Sequence, residues 1–227
     1  MDLDKLYCAS LLTYSPRGKT SEELQSQSIR YALKGGKLIG PQSISVPRWV
    51  AETVSKGGSG LPIAHFFEKK PTLVPVPRST LTRKGGLWVP LQIAEELDRL
   101  GLGGGVAPIL TRHIPIPQAA TSIASDRPLA RRHFETMAVQ TGLVAPSCFL
   151  LVDDFVTRGA TLLGAANRLL AGFPDTQVKA FAAIRTVSNP EEFTKIVDPK
   201  VELIRLREDG TTLRRAADWA LPNWDDG

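Results

Sequence analysis

The segment FLLVDDFVTRGAT, residues 149–161, contains the feature that decides the fold. Four apolar residues run directly into Asp153 and Asp154, and the short run TRGAT follows at 157–161. A short apolar run bounded by charged and turn-forming residues is typical of a strand buried on both faces. We therefore predict a strand over 148–153, with the two carboxylates at or just past its end.

Strands and helices alternate around this segment. The predicted elements are a strand at 72–77, a helix at 88–100, a strand at 106–110, the strand at 148–153, a helix with Leu162, Ala166, Leu169 and Phe173 on one face, and a strand at 177–186. This alternation predicts an α/β fold, in which helices cover both faces of a parallel twisted sheet.

The regions on either side of this alternation are predicted to be peripheral. They comprise a strand at 5–14, a helix from Thr20 to about Leu33, a helix at 49–55, a strand at 201–206 and a peripheral helix within 207–227. Thr20 and Glu23 have the spacing of a capping box, and Gly35 with Gly36 ends the helix. We expect one domain over 1–227, with a core at about 70–187, an N-terminal element at 1–69 and a C-terminal extension at 188–227.

A long polar stretch at 111–139 has no clear strand periodicity. Connections of this length inside a compact domain are usually functional or mobile.

Composition excludes several classes of protein. The 227 residues are 42% hydrophobic, enough for one sizeable core, and the net charge of +5 favours anionic partners. Two distant cysteines are too few for a zinc ribbon. The first residues lack the pattern of a signal peptide, and no apolar run approaches the roughly 18 residues of a membrane span. We expect a cytoplasmic protein without a membrane partner.

The two aspartates need partners. In parallel sheets, ligands bind beyond the carboxyl ends of the strands, so Pro77 and the Asp153–Asp154 pair should share one edge of the sheet. A carboxylate pair at the end of an apolar strand is costly unless it meets donors or a metal. Vicinal ribose hydroxyls and Mg²⁺ are both suitable, and the residues alone leave the two open.

The TRGAT run follows as a turn into a helix. Its backbone N–H groups, its two hydroxyls and the helix N-terminus would form a site for an anion, and Gly159 gives the backbone room to approach it. Together with the aspartates, this is the pattern needed to hold a ribose 5-phosphate. The simpler alternative is that Asp154 is a turn residue, Thr157 or Thr161 a helix cap, and Asp153 merely solvated.

LLVDDFVTRGAT resembles the phosphoribosyl pyrophosphate motif of type I phosphoribosyltransferases. The resemblance implies that Asp153 and Asp154 hold the ribose hydroxyls and a Mg²⁺ ion, directly or indirectly. It also implies that the 5-phosphate is bound by Thr157, Arg158, Gly159, Ala160 and Thr161. We call residues 157–161 the TRGAT loop.

LVPVPRS, residues 73–79, is similar to a strand end in the competence-protein (ComF-like) branch of that family. It implies a pyrophosphate site at Pro77, Arg78, Ser79 and Thr80, which we call the PRST loop. Arg112, Gln118 and Arg127 roughly match the Arg–Gln–Arg pattern of that branch's mobile hood, and Tyr31 with Lys34 faintly matches its early helix.

In this interpretation Asp153, Asp154 and Arg127 are the catalytic residues. Arg127 belongs to a basic cluster with Arg131, Arg132 and His133 that either closes over the pyrophosphate or forms a solvated face.

Some features of the branch are missing. The chain has no four-cysteine zinc module, no Gly-Phe-Asn-Gln motif near Gly85 and no hood asparagine near Leu129.

The expected function is Mg²⁺-dependent transfer of a phosphoribosyl group from phosphoribosyl pyrophosphate to a nitrogen acceptor, with release of pyrophosphate. The acceptor is not indicated by the sequence, and a homodimer, as in many relatives, is compatible with it. The alternative is a non-catalytic binding or regulatory protein linked to DNA uptake or nucleic-acid handling. Nucleic acid is not favoured, because the chain has no ladder of aromatic residues for stacking bases. A third alternative is a fold that has lost ligand binding.

Overall fold

The structure is a computed structural model, and it describes residues 1–80, 85–116, 128–142 and 145–217. Its elements are β1 (Lys5–Tyr14), α1 (Ser21–Gly35), β2 (Leu38–Ile39), β3 (Ile44–Ser45), α2 (Val46–Gly57), β4 (Thr72–Pro75), α3 (Val89–Arg99), β5 (Leu110–Arg112), α4 (Ala130–Thr136), β6 (Met137–Val139), β7 (Cys148–Val156), α5 (Ala160–Gly172), β8 (Gln177–Thr186), β9 (Val197–Leu206) and β10 (Thr212–Ala216). Short 3-10 turns lie at Gly58–Gly60, Ala64–Phe66 and Pro190–Glu192.

The central sheet has the strand order β10–β9–β1–β8–β7–β4. The four strands from β1 to β4 in this order are parallel, and β9 and β10 add an antiparallel edge beside β1. The prediction of an α/β fold with a mainly parallel sheet is confirmed. The prediction of peripheral terminal elements is wrong for β1, whereas β9 and β10 lie at one edge of the sheet. Leu6, Cys8, Ala9, Leu11 and Leu12 make β1 almost fully buried, and it occupies an interior position in the sheet.

Alternate residues of the central strands enter two separate cores. Along β7, Leu150 and Val152 pack with α1, α2 and α3, whereas Phe149 and Leu151 pack with α5 and with Ala130 of α4. Successive residues of a strand point to opposite faces, so helices cover both sides of the sheet, as predicted.

Helix α1 begins with the predicted capping box. The Thr20 hydroxyl accepts the Glu23 N–H, and the Glu23 carboxylate accepts the Thr20 N–H. The helix ends at Gly36, whose φ of +62° is the left-handed conformation that favours glycine. Its start contacts Ser15, just after β1, and its last turn contacts the end of β7. Helix α1 therefore runs across the carboxyl edge of the sheet.

The described parts of the stretch 111–139, residues 111–116 and 128–139, are more regular than we predicted. Strands β5 and β6 pair in antiparallel fashion, with α4 between them, and α4 packs against α5. The expected strand at 106–110 is also shifted, because Val106 makes only an isolated bridge to Leu73 and β5 begins at Leu110. Short strands of two or three residue pairs leave little periodicity to detect.

The tail also differs from the prediction. Residues 212–216 form β10 instead of a peripheral helix, and 218–227 lie outside the described residues. Within the described ranges, no helix is long and apolar enough to cross a membrane.

Candidate functional site

The carboxyl ends of β4 and β7 lie side by side, as predicted. Pro75 of β4 pairs with Val152 of β7, and the Val76 N–H donates to the Val152 carbonyl at 2.9 Å. Strand β7 continues beyond this point to Val156, paired only with β8. Asp153 and Asp154 therefore lie within β7, not past its end. They come immediately after the last residue of β7 that pairs with β4, at the edge where the PRST loop begins.

Both aspartates are buried, with 8% of Asp153 and 9% of Asp154 exposed. The Asp154 N–H donates to Asp153 Oδ1 at 2.9 Å. Burial, together with the neighbouring Asp154 charge, raises the pKa of Asp153, and Lys34 acts in the opposite direction. The alternative in which Asp153 is merely a solvated residue is therefore wrong.

Lys34, from the last turn of α1, forms an ion pair with Asp154 Oδ2. Its ammonium group also lies 5.1 Å from the centre of the Phe155 ring, and its side chain is half exposed. One half-exposed cation thus partly balances two buried carboxylates. Only the faint match of the early helix pointed to Lys34 in the sequence, and nothing there indicated its contact with Asp154.

The TRGAT loop joins β7 to α5. Gly159 is the residue that caps the helix, with φ +89°, and no side chain caps the first turn. A Cβ at this position would lie 2.5–2.7 Å from the side chain of Ile204 on β9, so both conformation and space require glycine. The Thr157 hydroxyl bonds to that of Thr186 at 3.3 Å. The first N–H groups of α5 therefore face the same edge as the aspartates, without a capping side chain.

The other TRGAT residues have different surroundings. Arg158 is exposed, while Ala160 and Thr161, which begin α5, are half-buried. Thr161 does not cap the helix. Its hydroxyl lies 3.3 Å from Nε2 of His133 on α4.

His133 belongs to a buried polar cluster with Arg112. Arg112 Nε donates to the Arg78 carbonyl at 2.7 Å, Nη1 donates to the Thr136 hydroxyl at 2.6 Å, and Nη2 lies 3.5 Å from His133 Nδ1. Burial, and secondarily the Arg112 charge, lower the pKa of His133 to about 3. Burial also lowers the pKa of Arg112 to about 10, against the opposing effect of Asp153. The prediction that His133 forms a basic cluster with Arg131 and Arg132 is therefore wrong, because His133 is buried beside Arg112.

The remaining members of that predicted cluster are separate from His133. Arg131 is exposed and pairs with Glu135 one turn along α4, and Arg132 is also exposed. Arg127 and Gln118 lie outside the described residues.

The PRST loop is held by its backbone. Pro77 is buried, Arg78 and Ser79 are half-buried, and Thr80 is exposed. The Ser79 carbonyl accepts the Ile116 N–H at 3.0 Å, and the Val76 carbonyl just before the loop accepts Trp88 Nε1–H at 2.8 Å. Side chains of Arg78, Ser79 and Thr80 are thus carried by a fixed backbone at the edge next to the aspartates.

No group of three or more His, Cys, Asp or Glu side chains among the described residues could hold a metal ion. Mg²⁺ usually binds through one or two carboxylates together with substrate phosphates and water. Asp153 and Asp154 fit that smaller role, since they supply two carboxylates at this edge of the sheet.

Two clefts on the described surface lie elsewhere, one between α1, α2 and α3 and one between α1 and the β2–β3 hairpin. Neither is lined by a predicted site residue.

None of the known protein-family models matches the chain, and no curated protein is significantly similar to it.

Proposed function

We propose that the chain is a Mg²⁺-dependent phosphoribosyltransferase that uses phosphoribosyl pyrophosphate. The observation that carries this proposal is the buried Asp153–Asp154 pair, which lies between a glycine-capped helix N-terminus and the PRST loop. Three kinds of group meet at one edge of the sheet: carboxylates for hydroxyls, backbone N–H groups for a phosphate, and a basic loop for a second anion.

The ribose is proposed to bind at the aspartates. Each of its vicinal hydroxyls can donate to a carboxylate, which compensates the cost of burying the two charges. Lys34 is half exposed and flexible, so it can swing away from Asp154 or remain beside it when a hydroxyl arrives. The 5-phosphate then meets the N–H groups at the start of α5, with the Thr157 and Thr161 hydroxyls on either side.

The pyrophosphate is proposed to bind at Arg78, Ser79 and Thr80. The bond between ribose C1 and the pyrophosphate oxygen breaks while C1 bonds to the acceptor nitrogen, and the proton of that nitrogen passes to solvent or to the released pyrophosphate. A bound Mg²⁺ would neutralise charge on the leaving pyrophosphate. No covalent enzyme nucleophile is needed, so the protein acts by positioning and electrostatic stabilisation. Arg127, in the proposed hood, is assigned to the same leaving group.

The test is a pyrophosphate-release assay with phosphoribosyl pyrophosphate, Mg²⁺ and a panel of nitrogen acceptors. We expect release with at least one acceptor, together with formation of its phosphoribosyl product. The double variant Asp153→Asn/Asp154→Asn should lose this activity. The matched control is Asp175→Asn, which changes an exposed carboxylate in the turn before β8 and should leave the activity unchanged.

Two other results would revise the proposal. Tight binding of phosphoribosyl pyrophosphate without release for any acceptor would favour the non-catalytic, regulatory alternative. Full activity in the double variant would refute the assignment of the ribose site.

A further inference from the structure

We infer that Arg112 and His133 form a buried positioning link that couples the PRST loop to the TRGAT loop. This inference rests on the proposed function, since it concerns how the two anion sites act together. The link runs from the Arg78 carbonyl through Arg112 and His133 to the Thr161 hydroxyl. Neither residue is placed in contact with the substrate, so both act through the loops that they hold.

The hydrogen bonds define the state of the histidine. The Arg112 guanidinium can only donate, so His133 Nδ1 must accept. A neutral imidazole that accepts at Nδ1 carries its proton on Nε2, which therefore donates to the Thr161 hydroxyl oxygen. The proton of that hydroxyl is then directed away from His133 and is free to donate to an anion at the start of α5.

The packing around the link leaves little room for independent movement. Arg112 is 6% exposed, His133 is 4% exposed and Thr136 is fully buried. A Cβ on Gly164 of α5 would lie 2.5 Å from the Ala130 carbonyl and 2.6 Å from the His133 Cβ. The missing side chain at Gly164 thus allows α4 to lie directly on α5, which brings His133 within reach of Thr161.

The Arg112 cation is held mainly by neutral acceptors. Its hydrogen bonds among the described residues go to a carbonyl, a hydroxyl and a ring nitrogen, and the nearby Asp153 carboxylate acts on its charge without a hydrogen bond to it. A pyrophosphate that displaces the Arg78 carbonyl would move Arg112 with it, and through His133 it would orient the Thr161 hydroxyl for the 5-phosphate. Coupling of this kind is reciprocal, so each anion should tighten the binding of the other.

The coupling can be measured by calorimetry on the full chain. The probes are inorganic pyrophosphate and 1-deoxyribose 5-phosphate, which lacks the C1 oxygen and so leaves space for pyrophosphate. With Mg²⁺ present, each probe is titrated alone and then in the presence of the other. In the wild-type protein we expect each probe to tighten the other by about fivefold or more.

His133→Asn is the decisive variant. Its amide oxygen can still accept from Arg112, which keeps the buried cation satisfied, but its side chain is too short to reach Thr161. We expect it to bind each probe alone within a few-fold of wild type and to lose the coupling, with little change in Tm. The matched control is His113→Asn, an exposed histidine on the segment after β5, which should keep the coupling.

A second measurement does not depend on folding of the variant. Nitrogen-15 NMR of the three histidines in the wild-type protein should show one neutral imidazole protonated on Nε2 and assigned to His133. Protonation on Nδ1 would overturn the link.

Retained coupling in folded His133→Asn would also overturn the link, as would independent binding of both probes to wild type, and in these cases the proposed function would still stand. If wild type binds neither probe, the proposed function and the link fail together.

Discussion

Asp153→Asn should stabilise the folded protein and abolish ribose binding at this residue. The amide oxygen can still accept the Asp154 N–H, so the substitution keeps shape and the local hydrogen bond but removes a buried charge. Because burial and the Asp154 charge outweigh the attraction of Lys34, the ionised Asp153 opposes folding. Substitutions that relieve such sites commonly stabilise by about 0.5–2 kcal/mol. We expect about 1 kcal/mol, which raises Tm by roughly 2–4 °C in a chain of this size.

The pH dependence of the free energy of unfolding provides a second test that ionised Asp153 destabilises the fold. The folded-state pKa of Asp153 lies above its usual value, so the folded state binds more protons than the unfolded state in the interval between the two values. The wild-type protein therefore loses stability from this group as pH rises through that interval. The advantage of Asp153→Asn should increase as pH rises above about 4 and should shrink as pH falls toward that value.

The matched control is Asp198→Asn, where the same change should destabilise. Asp198 pairs with the buried Arg185. Burial opposes the ionisation of Asp198, but Arg185, Thr194 and Lys200 together outweigh it and lower its pKa. Breaking a fully buried pair costs about 3–5 kcal/mol, and the partial exposure of Asp198 and its retained carbonyl contact reduce this to about 2 kcal/mol. Thermal and urea unfolding of both variants provide the assay. A loss of stability in Asp153→Asn at pH 7 would refute the claim that Asp153 is kept at a cost to the fold.

Three smaller changes test the surrounding contacts. Gly159→Ala should cost about 2–4 kcal/mol in urea unfolding, because alanine is disfavoured at this φ and its Cβ would meet Ile204; unchanged stability would contradict the geometry of the loop. Gly164→Ala should cost about 1–3 kcal/mol by forcing α4 away from α5, and a gain in stability would show that the helices are not in contact there. Lys34→Met should raise the pKa of Asp153 still further, because it removes the cation that opposes this shift. Carbon-13 NMR follows the titration, and an unchanged pKa would contradict the position of Lys34 beside the two aspartates.

The sequence predicted the elements with strong local patterns. β1 and β8 match the predicted 5–14 and 177–186, since both are long apolar runs with clear ends. The capping box at Thr20 and the apolar face of α5 were also predicted correctly, because each depends on residues only a few positions apart. The order of strands in the sheet does not have such a local pattern, and the interior position of β1 therefore did not follow from its sequence.

Part of the candidate site was predictable for the same reason. Asp153, Asp154 and the TRGAT loop are contiguous in the chain, and the parallel pairing of β4 with β7 brings the PRST loop beside them. The contact of Lys34 with Asp154 joins residues 120 positions apart, which depends on the direction in which α1 crosses the sheet.

The role of His133 was not predictable. Its neighbours Arg131 and Arg132 suggested a basic cluster that closes over the pyrophosphate or forms a solvated face, whereas its position on α4 buries it in the core. Only the close packing of α4 on α5 at Gly164 makes it a neutral hydrogen-bonding group.

The most direct test of the proposed function is calorimetric titration of the wild-type protein with phosphoribosyl pyrophosphate, with and without Mg²⁺, with ribose 5-phosphate as the control. We predict Mg²⁺-dependent binding that is tighter than that of ribose 5-phosphate, because the substrate engages both the TRGAT and PRST loops. Equal binding of the two would leave the TRGAT site standing but contradict the pyrophosphate site. Failure to bind either ligand would contradict the central claim that this edge of the sheet is a phosphoribosyl site.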